Sequence, residues 1–468
     1  MKITINKHTA LADTITPIIA YQRIREVYAK SILFECATYQ DAKNSNSIIV
    51  FDELASIDSL DNVATTRVNN TIKNQTNELN FKQSIEQFQA IFEIEKEYQN
   101  NSFIGIYGFT GYNSVSKMED LSFQKHENNL DISDFNYGFY RFTLIFHHHT
   151  NSITILESIP DNDDSKIDII LSLLQKNNTT TFSFETIGEE YCNSTNEEFM
   201  EMVKKGKEHA QLGDTFQMVL SRQFSQSFIG DDFNVYRTLR SLNPSPYLFY
   251  ADFGSFKLIG SSPEAQIVVS NKLAEIHPIA GTFKRTGDEE FDTMETLRLK
   301  EDPKENAEHV MLVDLARNDL SRHCKNVIVK KYKQIQTFSH VIHLVSLVTG
   351  KILDKSSSLD IFSDTFPAGT LSGAPKIKAM NLINQYEKTD RSFYGGAIGS
   401  FSFNGDINHA IIIRSFCSKD NQLHYQAGAG VVINSQPENE LMEVTNKLGA
   451  LRNAIAQASQ IHLKSFAI

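Results

Sequence analysis

Apolar runs of β character recur through the second half of the chain: IVVSNKLAEIHPIAGTF (267–283), GGAIGSFSF (395–403) and HAIIIRSF (409–416). Stretches of helical periodicity separate them. Short runs rich in branched residues suit strands, and turn residues at their ends suit antiparallel neighbours. Strands alternating with helices in this way predict an α+β body in which antiparallel sheet is faced by helices.

The first half reads as mixed strand and helix. YGFYRFTLIFHHHTNSITIL (137–156) has the pattern of a strand pair, and SFIGIYGFTG (102–111) is apolar with three glycines. The polar stretch 158–196 is the best boundary, giving an N-terminal region 1–190, intertwined with the rest, and a C-terminal region 191–468. Just after it, Thr195 and Glu198 have capping-box spacing, and Phe199, Val203 and Ala210 predict a helix that stops at Gly213. FQMVLSRQF (216–224) then alternates like a strand.

Composition removes several classes of function. The 468 residues carry a net charge of -12, which disfavours nucleic acid and anionic membranes as partners. No run approaches the roughly 20 apolar residues of a membrane span. Cys36, Cys192, Cys324 and Cys417 are scattered without short spacing, so a reduced, cytoplasmic chain is expected rather than a disulfide framework or a zinc site. Of the three successive histidines at 147–149, only His147 and His149 could share one side of a strand, a poor start for a metal site.

Two acidic segments stand out. In EDPKENAEHVMLVDLARNDL, Asp302 can cap, Pro303 suits the first helical position and Glu305 completes a capping box. Glu305 and Glu308 then share a face. In NSQPENELMEVTNKLGALRNAI, Ser435 and Glu438 fit a second capping box. Glu440, Glu443 and Lys447 fall on one side, while Leu441, Val444, Leu448 and Leu451 form an apolar stripe. Two carboxylate pairs on two helices are an oxygen-rich set that Mg²⁺ accepts, since it takes one or two carboxylates and keeps several waters. The same pattern also fits two solvated helix faces.

The glycine-bearing segments are equally two-sided. FPAGTLSGAPK (366–376) lacks the spacing of a phosphate-binding loop, yet Thr370, Ser372 and Gly373 precede a helix start at Pro375, where free N–H groups favour an anion. In QAGAGVV (426–432), Gly428 and Gly430 either hold a carboxylate on their amides or form a bulge. Arg414 ends an apolar run, placed for a bidentate carboxylate or for a structural salt bridge. His343 sits in the apolar run HVIHLVSLV, where a satisfied core histidine is the default.

Together these segments resemble the chorismate-utilising enzymes, and among them the large, aminating components of anthranilate synthases. The strings that carry the likeness are NPSPYLF (243–249), GSSPEAQ (260–266), PIAGT (278–282), ENAEHVMLVDLARNDL (305–320), SHVIHLVS (339–346), FPAGTLSGAPKIKAM (366–380), YGGAIG (394–399), QAGAG (426–430) and ENELMEVTNK (438–447). LFEC (33–36) and GIYGFTGY (105–112) match more loosely. Two positions bear on the subfamily. Family members that add water carry a lysine where this chain has Gln217, and an amide cannot act as a general base near neutral pH. Aminodeoxychorismate synthases commonly have a lysine where this chain has Ala280.

The resemblance implies two large, mostly antiparallel sheets packed together and flanked by helices. It implies a Mg²⁺-dependent lyase that converts chorismate and ammonia to anthranilate and pyruvate, with the ammonia supplied by a glutamine amidotransferase subunit. Glu308 and Glu443 would hold Mg²⁺, with Glu305 and Glu440 in or behind its shell. Glu264 would be the general acid, and its carboxyl would have to stay neutral. His343 would assist pyruvate elimination, and Thr370 would line the ring. Tyr394, Arg414, Gly281, Thr282, Ala427, Gly428, Ala429, Gly430 and Lys447 would complete the substrate pocket. Tryptophan would inhibit at Glu35, Cys36, Pro246, Tyr247 and Leu248. There Cys36 replaces the family's serine, a weaker hydrogen-bond partner, so inhibition is expected to be weakened. The chain contains no Trp, which suits an enzyme that makes tryptophan's precursor. The alternatives are an aminodeoxychorismate synthase component and a non-catalytic tryptophan-binding regulatory subunit.

Overall fold

Strand after strand pairs antiparallel, so the hydrogen-bond demand of long apolar segments is met by near and distant neighbours alike. A computed structural model describes the chain except residues 37–44, 78–79, 125, 127–129, 162, 177–178, 338–340 and 462–468. Ser339 and His340 of the SHVIHLVS string therefore lie outside the described residues. The strands Phe135–His147 and Ser152–Pro160 form the expected pair. His147 ends the first of them and hydrogen-bonds Asn46 and Thr154, at 2.9 and 3.0 Å, while His148 bonds Ser47 at 2.7 Å. Those contacts make them structural side chains.

The long strand Asn46–Leu60 joins two wings of sheet. On one side it pairs with Ile32–Glu35, which continues through Tyr247–Asp252, Lys257–Ser262, Ser415–Lys419 and Gln422–Val431 to Gln217–Gly230. On the other it pairs with Phe135–His147, which leads through Gly105–Thr110, Ala397–Ser402, Ile407–Ile411 and Ala265–Ser270 to Leu273–Ile276 and Val341–Ile352. Both wings mix strands from either side of residue 190. Among the described strands the one parallel pairing joins Lys2–Leu11 to Glu93–Ile94.

Helices cover both wings. Asn196–Leu212 begins with the full Thr195/Glu198 capping box and ends on Gly213, whose φ of 81° places it in the left-handed region open to glycine. This helix and Pro437–Ala458 pack on the first wing, where Val203, Val444, Leu448 and Leu451 meet Met218, Leu220, Ala429 and Val431 in one core. Pro303–Ser321 and Ser358–Thr365 cover the second wing over a phenylalanine-rich core that includes Phe81, Phe135, Phe362 and Phe401. Burying each such ring contributes about 1.5–3 kcal/mol.

Two local expectations fail. Helix Pro437–Ala458 has no side-chain cap: Pro437 takes the first helical position and Gln436 precedes it. Ser435 lies one residue too early to form a box with Glu438. Its hydroxyl accepts the Val432 N–H at 3.0 Å instead and bonds the Glu440 carboxyl. At the other acidic helix, Asp302 does cap, accepting the Glu305 N–H at 3.0 Å, with Pro303 at the first position, but the Glu305 side chain returns no bond to the Asp302 N–H, so the expected capping box is only half formed.

Candidate active site

Glu264 occupies the turn between Lys257–Ser262 and Ala265–Ser270. Its carbonyl accepts the Ile411 N–H at 3.0 Å, which fixes the turn to the next strand. Its side chain is 8% exposed, and Thr370 Oγ1 donates to the carboxyl from 3.3 Å. Burial pushes the carboxyl pKa up to about 8, against the Thr370 hydrogen bond and the charges of Arg414 and Lys447. The group is therefore mostly neutral at pH 7.

Thr370 reaches this carboxyl because its loop is pinned from below. The buried Arg391 guanidinium donates to Leu371 O at 2.5 Å, to Val219 O at 2.6 Å, and to both Glu387 oxygens at 2.6 and 2.8 Å. Glu387 in turn accepts the backbone N–H and the hydroxyl of Ser221, at 2.8 and 2.6 Å. One ion pair thus ties the loop before helix Lys376–Tyr386 to strand Gln217–Gly230.

Arg414 lies between Ile407–Ile411 and Ser415–Lys419 with φ of 49°. A non-glycine residue there is strained, and such strain persists where the surroundings over-determine it, often at functional sites. Burial lowers the guanidinium pKa while Glu264 raises it. Among the described residues no acceptor hydrogen-bonds this guanidinium, which leaves it suited to an anion. Tyr394 is buried, with its phenol pKa raised by burial and its hydroxyl against the Gly428 backbone.

His343, on Val341–Ile352, is 2% exposed and donates from Nδ1 to Gly281 O at 2.8 Å. Burial pushes its pKa down to about 4, so the ring is neutral, with its lone pair on Nε2. Gly281 has φ of 66°, and a Cβ there would come 2.5 Å from Leu299 Cδ1. Thr282 follows on the same strand, opposite His343 in register.

On strand Gln422–Val431 the alternation of faces divides the QAGAG residues. The side chains of Ala427 and Ala429 join the first-wing core, so only their backbone could serve a ligand. Gly428 and Gly430 take the opposite face, where a Cβ would meet Leu220 O at 2.7 Å and Gln217 Nε2 at 2.3 Å respectively. Lys447 Nζ donates to Gly428 O at 2.9 Å and to Glu443 Oε1 at 2.8 Å.

The four glutamates of the two acidic helices share one neighbourhood, because the Lys304 ammonium feels all of them: Glu440, Glu443, Glu305 and Glu308 together hold its pKa up against burial. Burial, followed by the charge of Glu308, pushes Glu305 up to about 7. Burial also raises Glu440. Burial opposes ionisation of Glu443 too, yet Lys447 holds that carboxyl below its ordinary value. Among the described residues no three acidic or imidazole side chains converge as a ready-made metal cage. Mg²⁺ asks for less: one or two carboxylates, waters and a substrate oxygen. Four carboxyls balanced by two ammonium groups, Lys304 and Lys447, keep oxygen to spare for such a cation.

The residues that the resemblance assigns to an inhibitor site lie elsewhere. Cys36, Pro246, Tyr247 and Leu248 line a cavity of about 500 Å³ together with Phe34, Tyr107 and Asn46. Glu35 lines it as well, its carboxylate accepting from Tyr236 at 2.6 Å and Arg240 at 2.8 Å. Pro263 and Ala265, which flank Glu264, form part of its wall.

Two residues of this neighbourhood are missing from the set that the sequence suggests, Lys304 and Gln217. Gln217 Nε2 donates to Glu308 Oε1 at 2.9 Å, a contact across 91 positions that no local pattern could reveal. Lys304 had a weak signal, a lone cation beside the first glutamate of an acidic helix.

These features correspond to a known class. The pattern of the chorismate binding enzymes matches residues 34–453, and the chain belongs to that family. Its relatives include anthranilate synthase component 1 of Lactococcus lactis, 34% identical over 455 residues, which covers 94% of this chain and 97% of that protein. The same component of Aquifex aeolicus is 47% identical over 270 residues, with 57% of this chain aligned to 55% of that protein's length. The crystal structure of anthranilate synthase component I from Streptococcus pneumoniae superposes with a TM-score of 0.75 at 30% identity, covering 95% of this chain and 99% of that one.

Proposed function

We propose that this chain is the aminating component of an anthranilate synthase, a cytoplasmic lyase that makes anthranilate and pyruvate from chorismate and ammonia. The observation that carries the reading is Glu264: a buried carboxyl held neutral, bonded to Thr370, and close enough to feel the charge of Arg414, whose guanidinium has no hydrogen-bond acceptor among the described residues. Chorismate is a dicarboxylate with a ring hydroxyl at C4 that must leave. Arg414 and Tyr394 receive the enolpyruvyl carboxylate, and the Gly428 and Gly430 backbone receives the ring carboxylate. Glu264 delivers its proton to the departing hydroxyl, which leaves as water. Neutral His343 then takes the ring proton as pyruvate is expelled and the ring becomes aromatic.

Glu308 and Glu443, with Glu305 and Glu440 behind them, would hold Mg²⁺. When bound, the cation neutralises the ring carboxylate that lies against this acidic face. Ammonia comes from a separate glutamine amidotransferase subunit. The N-terminal region 1–190 supplies Glu35 and Cys36 to a tryptophan site in the 500 Å³ cavity. Tryptophan there lies against Pro263 and Ala265, one residue on either side of the acid, which supports feedback control through that turn.

Incubating the isolated chain with chorismate, Mg²⁺ and ammonium tests the reading directly. Anthranilate, recognised by its fluorescence, is the expected product. Accumulation of a non-fluorescent amino adduct, or chorismate left untouched, would contradict it.

A further inference from the structure

A second, smaller cavity of about 40 Å³ adjoins Glu264, and Gln266, Ala316, Asp319 and Thr370 share its wall. Neither Arg414, Tyr394, His343 nor Lys447 belongs to that wall, so the cavity reaches the acid from a direction the substrate groups do not occupy. It has room for about one to three waters. Gln266 is 2% exposed, and its Nε2 donates to Thr365 O at 2.9 Å. Its Oε1 is buried with no hydrogen-bond partner among the described residues. Turning the amide over would set oxygen against oxygen, so Oε1 is the open atom. Buried acceptors of this kind are normally met by ordered water. Thr365 O also accepts from Lys376 Nζ at 3.1 Å, and Lys376 donates in turn to Asp319 Oδ2 at 2.9 Å. Asp319 keeps 13% of its side chain exposed, so it touches both the cavity and the surface. Burial raises its carboxyl pKa against the charges of Lys376 and Arg322, and Glu119 adds to the rise.

We propose that water in this cavity carries protons from Asp319 to Glu264 and so reloads the acid after each turnover. The inference rests on the anthranilate synthase reading. Glu264 gives its proton to the departing hydroxyl as the C4–O bond breaks, and is left as a buried carboxylate. A cavity water held on Gln266 Oε1 passes one proton to that carboxylate and takes one from the Asp319 carboxyl. Asp319 draws its replacement from solvent. The R–NH₃⁺ group formed by ammonia attack releases one proton to solvent, so none is consumed overall. Rates show why a path is needed. At pH 8, protons at about 10⁻⁸ M with a diffusion ceiling of about 10⁹ M⁻¹s⁻¹ meet an open carboxylate about ten times per second, no faster than a typical turnover. A buried carboxylate meets them less often. Asp319, at the surface, draws on buffer acids as well, which Glu264 cannot reach.

The test is kcat for anthranilate formation at pH 8 as imidazole is varied, with ammonium and ionic strength fixed. Asp319→Asn keeps the shape and an acceptor for Lys376 but has no proton to pass. Its kcat should fall about tenfold, with KM for chorismate within about twofold of wild type, and imidazolium should restore most of the loss by feeding the cavity water directly. Wild type should be nearly indifferent to imidazole. Ala316→Val leaves Asp319 and Lys376 in place and fills the cavity instead. Its kcat should fall likewise, and imidazole should not restore it. A merely structural role for Asp319 would give a loss that buffer does not repair. Wild-type kcat in Asp319→Asn, or a lowered kcat indifferent to imidazole, overturns this inference alone. Should Asp319→Asn fail to fold, Ala316→Val decides the matter, and an unchanged kcat there overturns the proposal. Wild-type chain that makes no anthranilate from chorismate and ammonium overturns the functional reading with it.

Discussion

If Glu264 protonates the leaving hydroxyl, its titration must govern activity on the alkaline side. Burial moves the carboxyl from 4.5 to about 8, a preference for the neutral form of roughly 5 kcal/mol. About nine-tenths of the enzyme then carries the proton at pH 7, and about a tenth at pH 9. Assayed at constant free NH₃, so that the substrate's own titration cancels, kcat should be level to near pH 7.5 and fall about tenfold per unit above pH 8. Glu264→Gln keeps the shape and the Thr370 contact but has no proton to give. Its turnover should drop about 10²- to 10⁴-fold, and the alkaline limb should vanish. Stability supplies a second reading. A carboxyl whose folded pKa lies above its unfolded one loses stability progressively as pH climbs from about 4.5 to 8. Glu264→Gln removes that loss, so its urea midpoint should gain on wild type across this window and run parallel above it. Unchanged turnover in Glu264→Gln, or an alkaline limb that survives in it, would refute the acid assignment.

Arg391→Met strands the Glu387 carboxylate and frees the Thr370 loop, so unfolding in urea should show a loss of about 3–5 kcal/mol. Gly430→Ala forces Gln217 off Glu308 and should cut chorismate turnover more than about tenfold, while circular dichroism shows the fold intact. Cys36→Ser restores a hydroxyl to the 500 Å³ cavity, and calorimetry should find tryptophan binding several-fold tighter than in wild type. Chelation with EDTA should abolish anthranilate formation. Glu308→Gln and Glu443→Gln should each raise the Mg²⁺ concentration needed to restore it, and equal Mg²⁺ requirements in all three proteins would count against the acidic pair.

What could be read from the chain beforehand divides along the range of the interactions. Helix Asn196–Leu212 was legible because its signals, a capping box at one end and a left-handed glycine at the other, act within a few residues. The failed box at Ser435 shows the limit of the same reasoning, since a proline at the first helical position overrode the better-looking pair. Strand existence was legible for the same local reason, but the pairing of Gly105–Thr110 with Ala397–Ser402 was not, because partners nearly 300 positions apart leave no periodic trace. The site followed that division. Each acidic helix announced its carboxylates by spacing, while their meeting rested on the resemblance, since no local pattern joins two helices so far apart in the chain.

That junction is held together by single residues, of which only Lys447 is signalled by its spacing on a helix. Lys304 stands among four carboxylates, Lys447 bridges Glu443 and the Gly428 backbone, and Gln217 ties Glu308 to the face of Gly430. Each is a single residue whose partner is supplied by a different strand or helix, or whose neighbours in sequence are unremarkable acids and apolar residues. Unmet or strained groups mark the neighbourhood as well: among the described residues the buried Gln217 Oε1 has no donor, and Arg414, held at positive φ, has no acceptor for its guanidinium. A pocket proposed to hold a dianion and keep a carboxylic acid protonated would not satisfy all its polar groups internally. Those left unmet in the bare chain are the ones that substrate is expected to complete.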